Sequence, residues 1–571
     1  MPIWRRTDQT SQTEYQDIHF AGHPFGLLCW RSCYRKLIRW LEETNIMQQL
    51  SELDVSFLHL ETDHTPMHNG GLYLFDSTTS TEPLTFERFR QFVESKLPVA
   101  DFFRKRIVEV PLRLDNPYRV DDPEFDINRH LHHIEYSRAV SLTQLNRLAA
   151  KLLATPLKRD RPLWEITFVD GLSGIDTLPE SCFALIAKTH HSAIDPLSGK
   201  DIMGVLLDFS ANPTTVTRPE PWQPQSLPST LKLLGNAYTH ALSRPLRPVH
   251  MIRETVSAKV FALLLRRLNT LNLLPDQFCA PRTAINRSIN EDRSLDFAEI
   301  PLEKLKDIKN KIGHEVTIND VITGICAQAA SRFLELRGER PKTSLVALSP
   351  ISVRSKNLHS PTGHQMAAMM ISLATDEPDP AWRIVHIHKN AEISNNYSQA
   401  VSAPSLTRAA PSSMVALAAR IYTEFQLAQR HNPLFNLPLI NIPGPQNPLY
   451  LQGCKLIRQA ASSPLFDGIG LGIVAISYQG SVTFSVSSCP SGVCDASELV
   501  ILLNESVADI ESAAEDILQE TPPAYTPGLI KSPSLTELGS AVIGDAFSPI
   551  NNLFSFGKDD ARQKVIEKTE S

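Results

Sequence analysis

The residues best suited to chemistry lie between Phe183 and Gly199, in FALIAKTHHSAIDPLSG, where an apolar run ends in His190 and His191 and Asp195 comes four residues after the second histidine. An imidazole in such a place can take the proton of a hydroxyl as its oxygen attacks a carbonyl. Its unperturbed pKa lies near neutrality, and a positioned base of this kind contributes about 10²- to 10⁴-fold. If the carbonyl is already activated as a thioester, no covalent serine is needed. The spacing alone is a weak signal: the chain has 18 His, and a second His-xxx-Asp pair stands at His59 and Asp63, where FLHLETD reads as a helical start with a chance pairing. The setting distinguishes His191. Phe183 to Ala187 is a short continuous apolar run of the kind a buried strand shows, and Pro196 and Gly199 break the chain soon after the histidines. His191 is therefore expected on a loop at the mouth of a strand, where catalytic groups are usually presented. The plainer alternative, two strand-end histidines bonded to nearby carbonyls, stays open on the residues alone.

The elements that must position this pair alternate in type, as in an α/β or α+β layered fold. Gly70 to Phe75 reads as a strand, Phe86 to Leu97 as a helix and Asn128 to Tyr136 as a strand, whose own pair, His132 and His133, has no Asp at the right distance and reads as structural. Leu142 to Leu153 carries leucines on one helical face, and Trp164 begins a further strand as a core aromatic. Beyond a Pro- and Thr-rich linker from Asn212 to Pro228, Leu231 to Leu274, broken by Pro245 and Pro248, carries long helical pieces rich in Leu and Arg. Its Arg253, Lys259, Arg266 and Arg267 are expected on a solvated face, the alternative being contact with phosphates or anionic lipid. Thr317 or Asn319 caps a helix running from Val321 to Leu336, with Asp320 complementing its dipole. Leu345 to Val353, Met366 to Leu373 and Ile473 to Tyr478 read as strands, the last after a glycine-rich loop.

Several function classes are excluded. With 56 Lys plus Arg against 62 Asp plus Glu the chain is mildly acidic, which gives no electrostatic case for nucleic acid. The eight cysteines are scattered without CxxC or Cys/His metal spacing, so a reduced, cytoplasmic setting and no metal site are expected. No apolar run of about 18 residues marks a transmembrane span, and no signal peptide opens the chain. Walker, dinucleotide and GxSxG signatures are all missing, which argues against nucleotide cofactors and serine hydrolases.

HHSAIDP resembles the HHxxxDG motif of the bacterial wax ester synthase/diacylglycerol acyltransferase family, within the chloramphenicol acetyltransferase-like, CoA-dependent acyltransferases. Other blocks match in the family's order: LSELDVSFLHLETDHTPMHNGGLYLFD from Leu50, DRPLWEITFVDGL with Pro162, Leu163 and Trp164, VTINDVITGICAQAASRFLELRGERP with Asn319 and Asp320, then LSPISVRS, LINIPGPQNPLYLQG and SPLFDGIGLGIVAISYQG. The resemblance runs from about Met47 to Ile517. The motif's final Gly is Pro196 here, and Pro fixes φ near about −65° and has no N–H, where Gly could take positive φ.

The resemblance implies an α/β fold of two chloramphenicol acetyltransferase-like domains with a tunnel between them. The N-terminal domain would occupy 47–210, a linker and crossover helices 211–281, and the C-terminal domain 282–520. It further implies acyl transfer from acyl-CoA, as co-substrate without another cofactor, to a long-chain alcohol or diacylglycerol. His191 would be the general base, His190 its support and Asp195 a loop-holding residue bound to an arginine that the sequence does not identify. Pro162, Leu163, Trp164, Asn319 and Asp320 would be supporting positions. Two alternatives stand beside this: another acceptor within the superfamily, or a non-catalytic protein that binds lipid inclusions with Pro196 closing the site. Residues 1–46 are either a basic amphipathic helix around Leu28 to Leu41, lying in a membrane interface or docked on the protein, or sequence upstream of a start at Met47. Residues 521–571 are expected to be a disordered tail. The implied setting is cytoplasmic, with peripheral contact to the inner membrane or lipid inclusions.

Overall fold

The apolar run at Phe183 forms the middle of a mixed sheet. In the computed structural model the described residues are 47–175, 177–179, 181–193, 202–212, 222–243, 280–353, 365–400, 433, 435–515 and 517. The amphipathic segment at Leu28 to Leu41, Asp195 and Pro196, the four basic residues between 253 and 267, and the C-terminal tail lie outside them.

The first half supplies α1 (Glu52–Leu60), β1 (His68–Asp76), α2 (Phe86–Lys96), the hairpin β2 (Lys105–Val108) and β3 (Tyr118–Asp121), β4 (Leu131–Glu135), α3 (Leu142–Ala154), β5 (Trp164–Leu172), β6 (Cys182–His190), α4 (Ile202–Leu206) and α5 (Thr230–Ser243). The second half supplies β7 (Ser294–Pro301), α6 (Leu302–Ile312), α7 (Ile318–Leu336), β8 (Val346–Val353), β9 (Gln365–Ser372), α8 (Pro380–Ala400), β10 (Leu437–Ile442), β11 (Tyr450–Leu451), β12 (Cys454–Ser462), β13 (Leu471–Tyr478), β14 (Ser481–Ser488) and α9 (Ala496–Ala513). Within the described residues the elements expected from sequence appear, with two corrections; of the helical stretch expected from Leu231 to Leu274 only the part up to Ser243 lies within them. Asn128 to Tyr136 is not one strand: a 3-10 turn, Ile127–Arg129, precedes β4, because Asp126 caps that turn through the Asn128 N–H. His59 sits in the last turn of α1 rather than at a helical start, since the capping box of Ser51 and Asp54 begins the helix earlier.

Two six-stranded sheets result, in the orders β11-β12-β1-β6-β5-β4 and β9-β8-β10-β13-β14-β7. All nine residues of β6 are buried, because both faces of its sheet are covered. Phe183, Leu185 and Ala187 pack with Phe75, Phe89, Trp164 and Phe168 on one face. Ala184 and Ile186 pack with Leu72, Leu74, Leu145 and Ala149 on the other, under α3. The second sheet packs against α7, α8 and α9 in a separate core centred on Ile325, Phe333, Ile384, Ile473, Phe484 and Leu503. Two strands of the first sheet, β11 and β12, come from the second half of the chain: Lys455 to Ser462 pair antiparallel with Asp76 to Gly70. Asn146 of α3 also donates to Asp296 of β7 at 2.9 Å, and Arg293 donates to the His64 carbonyl.

Candidate active site

His190 and His191 mark the end of β6, and the chain turns there into a 3-10 turn, His191–Ala193. Strand alternation sends successive side chains to opposite faces, so the two rings have different surroundings. His190 points inward and is 1% exposed. The Ser192 N–H donates to its Nδ1 at 3.1 Å, with the Ser192 hydroxyl 2.6 Å from the same nitrogen. An accepting Nδ1 puts the ring proton on Nε2, which faces Glu61 Oε1 at 3.5 Å. His68, registered opposite His190 on β1, points its Nε2 at the same oxygen from 3.7 Å, while its Nδ1–H donates to the Leu153 carbonyl at 3.3 Å. Arg159 donates to the other Glu61 oxygen from Nε and Nη2, at 3.1 and 2.6 Å. Burial holds His190 well below the ordinary histidine range and pushes His68 down to about 3. Both rings are therefore neutral props under the turn.

His191 is half-buried and differently held. Its backbone N–H donates to the Met67 carbonyl at 3.0 Å, and the Phe57 ring of α1 stacks on the imidazole, with centroids 4.5 Å apart and planes 17° from parallel. Asn69 of β1 places its side-chain amide 3.3 Å from Nδ1. Burial pushes the His191 pKa down to about 4, so at neutral pH the ring carries one proton and one lone pair. It can accept a proton from a reacting group and return it.

The turn that carries His191 is fixed from several sides. Leu163 accepts the His190 N–H at 3.0 Å and packs with Leu50, Val55, Leu58 and Ala193. Trp164 is fully buried, donates from Nε1 to the Phe103 carbonyl at 2.9 Å and stacks on His130. The Trp164 N–H bonds the Pro162 carbonyl at 3.0 Å. Arg119 of β3, itself buried, donates to the Ser192 carbonyl at 2.6 Å and to Asp54 at 3.4 Å. Arg119 thus holds the histidine turn through the Ser192 carbonyl. Asp195 lies outside the described residues.

Asn319 and Asp320 sit at the head of α7, and their side-chain bonds run elsewhere. Asp320 forms a capping box with Thr317 and accepts from His388 Nδ1 at 2.9 Å, while Asn319 accepts from Asn441 at 2.8 Å. His133 stacks on Phe86 and lies 3.1 Å from Asp170, a structural place as expected. Sequence reasoning missed Phe57, Glu61, His68, Asn69, Arg119 and Arg159 as groups around the histidines. All but Arg119 and Arg159 fall in the block that begins at Leu50, so position near a matched block was the available signal. Among the described residues no group of His, Cys, Asp and Glu side chains is arranged to hold a metal ion, and no helix is long and apolar enough to cross a membrane.

The sequence model of the wax ester synthase/diacylglycerol acyltransferase catalytic domain matches residues 50–322, and that of the WS/DGAT C-terminal domain matches 362–511. The chain belongs to the wax ester synthase/diacylglycerol acyltransferase family. It is an acyltransferase. Among curated relatives, a Mycobacterium tuberculosis protein named "Putative diacylglycerol O-acyltransferase" is 29% identical over 474 residues, covering 82% of this chain and 91% of the relative. Another of the same name and species is 27% identical over 465 residues, covering 81% and 99%. The solved wax ester synthase/diacylglycerol acyltransferase from Marinobacter aquaeolei VT8 superposes with a TM-score of 0.57 at 22% identity, over 82% of this chain and 100% of that one. The fold is thus the chloramphenicol acetyltransferase-like α/β arrangement expected from the sequence.

Proposed function

We propose that this acyltransferase moves a fatty acyl group from acyl-CoA to the hydroxyl of a long-chain alcohol or a diacylglycerol, forming a wax ester or triacylglycerol. His191 is the general base. The observation that carries the reading is the environment of its ring: held by Phe57 and Asn69 at the mouth of β6, and neutral because burial pushes its pKa down to about 4. The acceptor hydroxyl gives its proton to the free imidazole nitrogen as its oxygen attacks the thioester carbonyl. The tetrahedral intermediate then expels the CoA thiolate, which takes the proton back from the imidazolium. Burial makes the base weaker but leaves it unprotonated and ready. No further cofactor enters this step.

The same reading gives the other residues their roles. His190 supports the turn through Ser192, Asp195 holds the loop beyond it, and Pro162, Leu163 and Trp164 fix the strand behind it. Asn319 and Asp320 order the head of α7. The two substrates meet at His191 through a tunnel between the halves, and the lipid acceptor is taken from a membrane or lipid-inclusion surface on the cytoplasmic side.

The test is thiol release from palmitoyl-CoA by the purified protein with hexadecanol, with dioleoylglycerol and with neither, beside His191→Ala. Acceptor-dependent release that falls by about 10²- to 10⁴-fold in the variant is expected. Release that is independent of acceptor, or equal in the two proteins, overturns the assignment.

A further inference from the structure

A neutral imidazole has two tautomers, and only one of them has its lone pair on a given nitrogen. A base that works through Nε2 needs its ring proton on Nδ1, so something must hold that proton there. The side chain at Nδ1 of His191 is Asn69, 3.3 Å away. We propose that Asn69 is the positioning residue that selects the His191 tautomer, its carbonyl accepting from Nδ1–H in the working state and leaving the lone pair at Nε2 for the acceptor hydroxyl. This rests on His191 as the base.

The placement of Asn69 is built into the sheet. It is the second residue of β1, registered opposite Thr189, with His68 opposite His190. One residue before His68, the Met67 carbonyl accepts the His191 N–H, so a single run of chain fixes both the backbone and the ring of His191. That run cannot drift. A Cβ on Gly70 would lie 2.4 Å from the Ala187 carbonyl oxygen, and one on Gly71 would lie 2.5 Å from that of Ala460. β1 therefore sits against β6 and β12 at a distance that only glycine permits, directly beside Asn69. The stacked Phe57 ring fixes the plane of the imidazole, leaving the proton's position as the remaining freedom.

In the structure the Asn69 NH2 faces Nδ1, which corresponds to the tautomer protonated at Nε2. A half-turn of the amide exchanges two groups of nearly equal size and presents the carbonyl oxygen instead. The same side chain can therefore hold a resting and a working tautomer without moving the backbone. Once the imidazolium forms, the carbonyl-forward amide stabilises it through Nδ1–H. An amide does this without the charge that a carboxylate would add. The titratable and charged groups packed nearby are His190 on β6, His68 on β1, Glu61 closing α1 with its partner Arg159, and the Asp54–Arg119 pair below Ser192. The first two are held neutral by burial.

Two substitutions test this. Asn69→Asp keeps an acceptor at Nδ1–H and adds a negative charge, while Asn69→Leu keeps the volume and removes the hydrogen bond. With palmitoyl-CoA and the better acceptor, Asn69→Leu should lower kcat by about 10- to 100-fold with little change in the KM for acyl-CoA. Asn69→Asp should recover much of that loss above neutral pH, with the acid limb of its kcat profile moved up by a unit or more. If Asn69→Leu does not fold, the pH profile of Asn69→Asp decides alone. A wild-type profile in Asn69→Asp, or wild-type kcat in Asn69→Leu, overturns the proposal. With His191→Ala still inactive, that result would leave the base itself standing, whereas full activity in His191→Ala would remove the reading on which the proposal rests.

Discussion

Three histidines around the end of β6 share one property: burial lowers each pKa, to about 3 at His68, about 4 at His191 and well below the ordinary range at His190. The unfolded chain titrates these rings near 6.5. Below that pH the unfolded state binds more protons than the folded one. Stability therefore falls as pH drops from about 6.5 towards 4, by up to about 1.4 kcal/mol per pH unit for each ring, and is independent of these groups above about 7. Urea unfolding at pH 7 and at pH 5 should show this loss, and His68→Gln should reduce it by one ring's share; equal losses in the two proteins would show that folding does not lower the His68 pKa. Residues differ in how legible they are from sequence. His191 stands out because an apolar strand ends at it, and Trp164 because it opens the strand before. Asn69 and Arg119 do not, because the hydrogen bonds that give them meaning span 122 and 73 residues. Nothing local in HNGG or YRVD marks a partner that far along the chain.

At the scale of single elements, periodicity and caps locate most pieces, because burial on one face and an N-cap are local properties. α7 begins where Thr317 and Asp320 form a capping box, and α3 where Ser141 and Gln144 do the same. The C-terminal end of α3 is less legible. Its carbonyls at Leu152, Leu153 and Thr155 are bonded by Lys188 of β6 and His68 of β1, strands distant in sequence that bring cationic or donor groups to the negative end of the helix. Two substitutions separate the local and the tertiary contributions. Thr317→Ala removes the cap of α7 and should cost about 1 kcal/mol in chemical denaturation, leaving the kcat of folded protein nearly unchanged. Gly70→Ala places a methyl 2.4 Å from the Ala187 carbonyl and 2.6 Å from Leu153. It should cost about 1–3 kcal/mol or more and also reduce kcat, because the strand that shifts carries Asn69 and continues from Met67. Equal kcat in the two folded variants would disconnect β1 spacing from the chemistry.

Across the whole molecule, the halves are not separable in the way their sequence order suggests. The histidine-bearing sheet takes β11 and β12 from residues 450–462, and Leu451, Cys454, Leu456 and Tyr478 fill the same core as Phe75, Phe183 and Leu185. Neighbouring matched blocks in a sequence do not reveal such a strand exchange, because β-pairing between distant segments leaves no local period. Without the second half, β1 would present its whole outer edge, from Gly70 to Asp76, to solvent, and an unpaired edge with an open core beneath it invites association. Residues 47–243 expressed alone should therefore be aggregated, or should unfold without a cooperative transition. Co-expression with residues 280–517 should give a soluble one-to-one complex. If the crossover segment only tethers the halves, that complex should also recover acceptor-dependent thiol release that His191→Ala abolishes. A monodisperse 47–243 fragment with a cooperative unfolding transition would show instead that the first sheet closes without β12, and that the exchanged strands serve only to set one half against the other.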